Sequence, residues 1–332
     1  MATDFHLSAS DGVIAIVASI IIGAILHSLV EKPFRFKSGV STEQSRRSYV
    51  FTASMLVGCL VLGAHFWALN GLPGRVPTDL QQYTSLKSQW QERLSAVRNG
   101  TCNIGEGAKL SNYDIDDCAR PPSGVRSFMI IGDSYGAGAA IILPNAFPEI
   151  YFGQLTLPGC QVDAPGSLPA QPKRPWCKES YQYAFELAKQ NGFDGVVISA
   201  SWPAERNKVA RRLVAWADEN DLELILLSDR PRFRERAPVI VGSAISFEQA
   251  QRKAMNAENT NFRRRAYRFE EALAAEANVV NMHKVMCDEQ CPMFNDARQL
   301  LYLDSSHISV DAAKWFGTRL KAQYPNLFQS QP

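Results

Sequence analysis

Two long apolar runs near the N-terminus constrain this chain more than any other feature. The first covers residues 12–30, with His27 as its strongly polar member. At about 1.5 Å of rise per residue, such a run can cross a hydrocarbon core of roughly 30 Å as a helix. The second covers residues 49–72 and carries Gly58, Cys59, Gly63 and His65, with Trp67 near its end. Both read as transmembrane helices; two buried core helices are the alternative. A signal peptide fits the first run poorly, because residues 1–11 hold no Lys or Arg and no clear small-residue cleavage site follows. The loop between the runs holds Lys32, Arg35, Lys37, Arg46 and Arg47, whereas Arg75 is the nearest basic residue outside them. Basic loops stay in the cytoplasm. Everything after Leu72 is therefore expected across the membrane, in the periplasm or outside the cell.

Cysteine usage tests that topology independently. Cys59 lies in the second run, and the remaining cysteines fall as close pairs: Cys102 with Cys118, Cys160 with Cys177, and Cys287 with Cys291. An even number in an extracytoplasmic domain reads as disulfides, and sequential pairing is the simplest of the many connectivities they allow. Zinc is the weaker reading, since no Cys-x2-Cys pair exists and only His283 and His307 follow the apolar runs. A net charge of +2 gives no argument for nucleic acid.

The chain divides into residues 1–72 (two transmembrane helices and a cytoplasmic loop), 73–124 (a linking extension) and 125–332 (a catalytic domain). Within the extension, residues 79–98 have Leu80, Tyr83, Leu86, Trp90, Leu94 and Val97 at helical spacing. From Val125 onward β-rich runs at 127–131, 150–155, 195–199, 223–227 and 278–282 alternate with helical stretches near 136–143, 178–190, 208–220, 247–277 and 310–324. That alternation predicts an α/β fold with a parallel sheet covered on both faces. Sites in such sheets form beyond the carboxyl ends of strands.

The first strand runs into Gly132-Asp133-Ser134-Tyr135-Gly136. A serine between a strand and a helix suits a nucleophile, because glycines allow the tight turn and N–H groups at the helix start can stabilise an oxyanion. A simple helix N-cap is the alternative. A base is needed, and His307 stands in Asp304-Ser305-Ser306-His307, just before the last helix. Asp304 can orient the imidazole and stabilise its cationic form. His283, with no carboxylate so close before it, is the reserve candidate. Asp133 is expected to support the turn. The stretch after the first strand fails the dinucleotide fingerprint, with Ile141 at the third glycine position. Arginine clusters at 230–236 and 263–268 are either a solvated face or a contact for anionic lipid or polysaccharide.

Gly-Asp-Ser after the first strand, with Asp-x-x-His before the last helix, resembles the SGNH (GDSL-like) esterase and acyltransferase superfamily over residues 125–327. The resemblance implies a flavodoxin-like three-layer sandwich with a Ser134–His307–Asp304 triad above the sheet's C-terminal edge. It also implies an oxyanion hole of the Ser134 N–H, a glycine after the second strand and an asparagine after the third. Gly159 fits the glycine, with Gly153 as the alternative. The asparagine is missing: the chain reads Ser199-Ala200-Ser201-Trp202, and Asn207 comes late. In addition, Glu31-Lys32-Pro33-Phe34-Arg35 resembles the end of the membrane domain of acyltransferase-3 proteins, some of which carry an SGNH domain on the outer face. This implies the C-terminal part of a larger inner-membrane enzyme that acetylates a surface polysaccharide such as O-antigen. Its membrane acyltransferase-3 domain would use acetyl-CoA, and the piece in hand would need no cofactor or metal. A carbohydrate acetylesterase and a non-catalytic glycan-binding module are the alternatives.

Overall fold

The computed structural model describes residues 42–68, 76–105, 110–287 and 290–329, with scattered positions between 13 and 27. The chain forms two compact units, Met1–Pro73 and Gly74–Pro332.

In the first unit helix α1, Thr42–Ala68, contains 27 residues. Its apolar side chains, including Leu56, Leu60, Val61 and Leu62, are exposed. Among the described residues no helix is long and apolar enough to cross a membrane. The two expected spans are thus not established: most of 12–30 lies outside the described residues, and 49–72 falls partly on α1.

The second unit is built on five strands: β1 (Ser127–Gly132), β2 (Tyr151–Thr156), β3 (Gly195–Ser199), β4 (Glu223–Leu227) and β5 (Asn278–Val280). All neighbours are parallel, in the order β2-β1-β3-β4-β5. Side chains alternate across a strand. Phe128, Ile130, Val197 and Ile225 accordingly enter one core, while Met129, Ile131, Val196 and Leu226 enter another. Both faces being covered explains why β1 reads as a nearly continuous apolar run. This strand order places the topological switch beside β1, where ligand sites of open α/β sheets form.

The helices of this unit are α2 (Thr78–Gln81), α3 (Lys87–Ala96), α4 (Ile115–Cys118), α5 (Ser134–Ala146), α6 (Trp176–Gln190), α7 (Arg206–Asp218), α8 (Ala237–Gly242), α9 (Phe247–Ala257), α10 (Thr260–Leu273), α11 (Met282–Met286) and α12 (Val310–Gln323). Two expected helices are broken. The 247–277 stretch divides at Glu258 and Asn259, where the Asn259 side chain caps α10. The 79–98 stretch divides into α2 and α3, because Tyr83 and Leu86 between them turn into the core.

The extension packs within the same unit as the sheet. Leu80, Tyr83 and Val97 join one core and Cys102, Ile104 and Cys118 the other. Residues 102–104 lie along the outer edge of β2: Ile104 N donates to Thr156 O at 2.8 Å, and Thr156 N to Cys102 O at 3.1 Å. An otherwise open strand edge is thereby covered. The disulfides are Cys102–Cys118, Cys160–Cys177 and Cys287–Cys291, the sequential pairing.

Candidate active site

Ser134 opens α5 directly after β1, half-buried, with the N–H groups of the first helical turn around it. The turn has no room for a side chain at Gly132, where an added Cβ would lie 1.9 Å from Ser199 O at the end of β3. Asp133 locks this approach. One carboxylate oxygen accepts Tyr135 N at 2.7 Å, capping α5, and the other accepts Ser201 N at 3.0 Å. Burial pushes the Asp133 carboxyl upward, against the pull of those N–H groups and of the Arg230 and His307 charges. Asp133 is a strut, as its place in the turn suggests.

His307 and Asp304 come from the tight loop before α12, closed by Leu303 N donating to His307 O at 2.7 Å. One Asp304 oxygen accepts both Ser306 N and His307 N at 2.8 Å, and the other meets His307 Nδ1 at 2.7 Å. Burial alone would raise the Asp304 carboxyl. The His307 side chain and the two backbone N–H groups outweigh it and hold the pKa at about 2. An ionised carboxylate can only accept, so Nδ1 carries a proton, and Nε2 makes no hydrogen bond among the described residues.

The two halves meet through their neighbours. The loop after β4 touches both: Arg230 donates to Ser134 O at 3.4 Å, and Phe233 N donates to Ser305 O, two residues before His307, at 2.8 Å. Among the described residues the Ser134 hydroxyl itself makes no hydrogen bond.

Three supports were not foreseen. Trp90 of α3 sets its ring against His307, centroids 5.7 Å apart. Arg93, buried on the same helix, donates to Ile308 O at 3.0 Å; burial, then the charge of Arg230, brings its pKa to about 9. Arg230, fully buried after β4, lies 4.0 Å over the Tyr135 ring and donates to Ser134 O at 3.4 Å. Gly138 makes space for it, since a Cβ there would fall 2.2 Å from its Nη1. The regular spacing of Trp90 on α3 was visible in the sequence, but its partner lies more than two hundred residues away. Arg230 was visible only as the first member of the 230–236 arginine cluster, and its burial departs from the solvated face read there.

Gly159 lies at φ +77° in Leu157-Pro158-Gly159-Cys160, a turn closed by Cys160 N to Leu157 O at 3.0 Å. A positive φ at the third residue is what a type II turn requires, and proline is common at the second. The turn joins the Ser134 turn, with Leu157 N bound to Gly132 O at 2.7 Å, and Arg174 donates to Gly159 O at 3.2 Å. Gly153 belongs instead to the middle of β2, where a Cβ would strike Phe193. After β3, Ser201 is exposed with its N–H already given to Asp133, while Asn207 sits inside α7. The reserve base His283 is buried, its Nε2 bound to Glu258 at 3.0 Å, so it faces the core rather than the site.

The SGNH domain family described as fused to AT3 domains matches residues 100–322, more than half of the chain. No curated protein matches it. Among solved structures, the chain is similar to the periplasmic domain of the lipopolysaccharide acetyltransferase of Salmonella ser. Paratyphi A. There the TM-score is 0.58 and the identity 14%, covering 73% of this chain and 99% of that one. Weaker likenesses are a GDSL-like lipase from Bacteroides thetaiotaomicron (TM-score 0.36, 12% identity, 74% and 98% covered) and a carbohydrate acetylesterase from Sinorhizobium meliloti (0.35, 9%, 61% and 99%). At these identities the solved structures show the shared fold alone. The chain belongs to the family of SGNH domains that are fused to AT3 domains.

Proposed function

We propose that this chain transfers an acetyl group to a sugar hydroxyl of a bacterial surface polysaccharide such as O-antigen, through an acetyl-Ser134 intermediate. The observation that carries the reading is the Asp304–His307 pair, which leaves Nε2 as a base on a loop that the stretch after β4 joins to the Ser134 turn. His307 Nε2 takes the Ser134 proton as Oγ attacks the acetyl carbonyl, and returns it to the leaving group. It then takes the proton of the sugar hydroxyl, which attacks acetyl-Ser134, and gives that proton back to Ser134 Oγ. The Ser134 N–H at the start of α5 and the Gly159 N–H would receive the negative oxygen. Ser201 N–H does not serve, because Asp133 holds it.

The acetyl donor side belongs to the AT3 membrane domain, which would draw on acetyl-CoA; the SGNH unit itself needs no cofactor or metal for this chemistry. The apolar runs at 12–30 and 49–72 would tether the unit to the inner membrane, with residues 74–332 in the periplasm. Support comes from the exposed apolar side chains of α1, which are unfavourable in water, and from disulfides, which persist in oxidising compartments. The test is hydrolysis of p-nitrophenyl acetate by the chain, with mass spectrometry of Ser134. Acetyl on Ser134, and loss of turnover in Ser134→Ala, are expected. Equal turnover by Ser134→Ala and the parent chain would sink the reading.

A further inference from the structure

The arginines beyond β3 and β4 form one group. Arg265 on α10 donates from Nε to Asp229 at 2.9 Å and from Nη2 to Trp202 O. Arg206, at the start of α7, feels the charges of Arg265 and Arg268 with Asp229 as the opposing carboxylate. Asp229 is fully buried, and Arg265 and Trp202 N already take its oxygens. Partial burial, then repulsion by Arg265, lowers the Arg206 pKa, and its buried Nε has no hydrogen-bond partner among the described residues. A buried guanidinium N–H without an acceptor, amid like charges, is costly unless an anion completes it.

Phe262 adds an aromatic face. Arg265 and Arg232 approach its ring, with guanidinium carbons 5.2 Å and 5.5 Å from the centroid. The group connects to the Ser134 turn through its neighbours. Trp202, bound by Arg265, adjoins Ser201, whose N–H is held by Asp133 next to Ser134. Arg232 acts electrostatically on Tyr135, on the other flank of Ser134.

We infer that Arg206, Arg265 and Arg268, with Phe262, form an acceptor site for an anionic saccharide: the guanidinium groups hold a sugar carboxylate or phosphate and Phe262 supports a ring. This rests on the reading of Ser134 as an acetyl-transferring nucleophile, and it names the class of acceptor. The anion accepts from Arg206 Nε and relieves the repulsion among the arginines, while the sugar it belongs to extends along the loop after β3 toward Ser134.

The test is calorimetric titration of the full chain carrying Ser134→Ala, which binds without turnover. The ligands are trigalacturonate (carboxylate), maltose 1-phosphate (phosphate) and neutral maltotriose. At least one charged saccharide should bind about tenfold or more tighter than maltotriose, and added salt should erode the preference. Preference for trigalacturonate over the phosphate assigns the charge to an acidic sugar; the reverse assigns it to a phosphate linkage. Arg206→Gln with Arg268→Gln should abolish the preference, Arg206→Lys with Arg268→Lys should keep part of it, and Phe262→Leu should weaken every ligand. Arg211→Gln, at an exposed pair with Glu276, serves as the control. Equal affinity for charged and neutral saccharides, no binding of either charged ligand, or an intact preference in a normally melting Arg206→Gln/Arg268→Gln chain overturns the inference. Failure of the acyl-transfer reading shows separately, as absent ester hydrolysis in the Ser134-intact chain.

Discussion

Two histidine–carboxylate pairs stand in the same domain with nearly the same contact, 2.7 Å for His307–Asp304 and 3.0 Å for His283–Glu258. They differ in access. The His307 and Asp304 side chains are 26% and 25% exposed, whereas those of His283 and Glu258 are 1% and 4% exposed. His307 has its second nitrogen free for a substrate proton; the second nitrogen of His283 is buried without a partner. Glu258 also holds Arg263 through both oxygens, at 3.0 and 2.6 Å, so it ties α10 to α11. The difference teaches that a carboxylate at hydrogen-bond distance is not enough to expose an imidazole to a substrate: only the His307 pair, at the strand ends, keeps a nitrogen accessible.

Breaking each pair separates these roles most sharply. His307→Ala is expected to lower kcat for acetyl ester hydrolysis by about 10³-fold or more. His283→Ala should leave kcat per folded molecule within about twofold of the parent and lower the melting temperature instead. Comparable kcat losses in the two variants would erase the distinction. Next in size, Asp304→Asn should cost about 10²- to 10⁴-fold in kcat with KM nearly unchanged, by releasing the Nδ1 tautomer. Glu258→Gln should cost about 1–3 kcal/mol in denaturant unfolding, because a buried histidine and arginine lose a charged acceptor, while hydrolysis by the folded fraction persists.

The pH dependence of stability sharpens the same contrast. The folded Asp304 carboxyl titrates at about 2, below its ordinary 3.8. Folding therefore favours its ionised form, and the stability this contributes, about 2 kcal/mol, is complete above the unfolded value and lost as pH falls through the folded one. The stability gap between the parent chain and Asp304→Asn should shrink as pH drops from about 4 toward 2, read by denaturant unfolding; a gap independent of pH would contradict the pairing. The smallest effect is expected at Trp90→Ala, a loss of kcat of about two- to fivefold through looser orientation of His307.

Much of this arrangement was legible in the sequence because it is local. Asp304 and His307 are three residues apart in one turn, so their meeting needs no knowledge of the fold. Ser134 follows an apolar strand at once, and the glycines around it allow the tight turn. The strand runs and the close cysteine pairs were visible for the same reason. Partners brought together across the chain were not: Glu258 for His283, Arg230 for Tyr135, and Trp90 and Arg93 for the His307 loop. The 73–124 stretch read as a link because its helices are short and polar. Its few apolar residues are nonetheless enough to enter both cores, and they carry Trp90 to the base.

By itself the sequence determined the strand–helix alternation, the serine at the first strand end and the Asp–His turn, since periodicity and short spacings act within a few residues. Only the tertiary structure decided which histidine faces the site, that Asp133 takes the Ser201 N–H, and that the extension belongs to the catalytic unit. Those outcomes depend on burial and on contacts between elements far apart in the chain, and the order β2-β1-β3-β4-β5 sets them by bringing the loops after β1, β3 and β4 to one edge of the sheet.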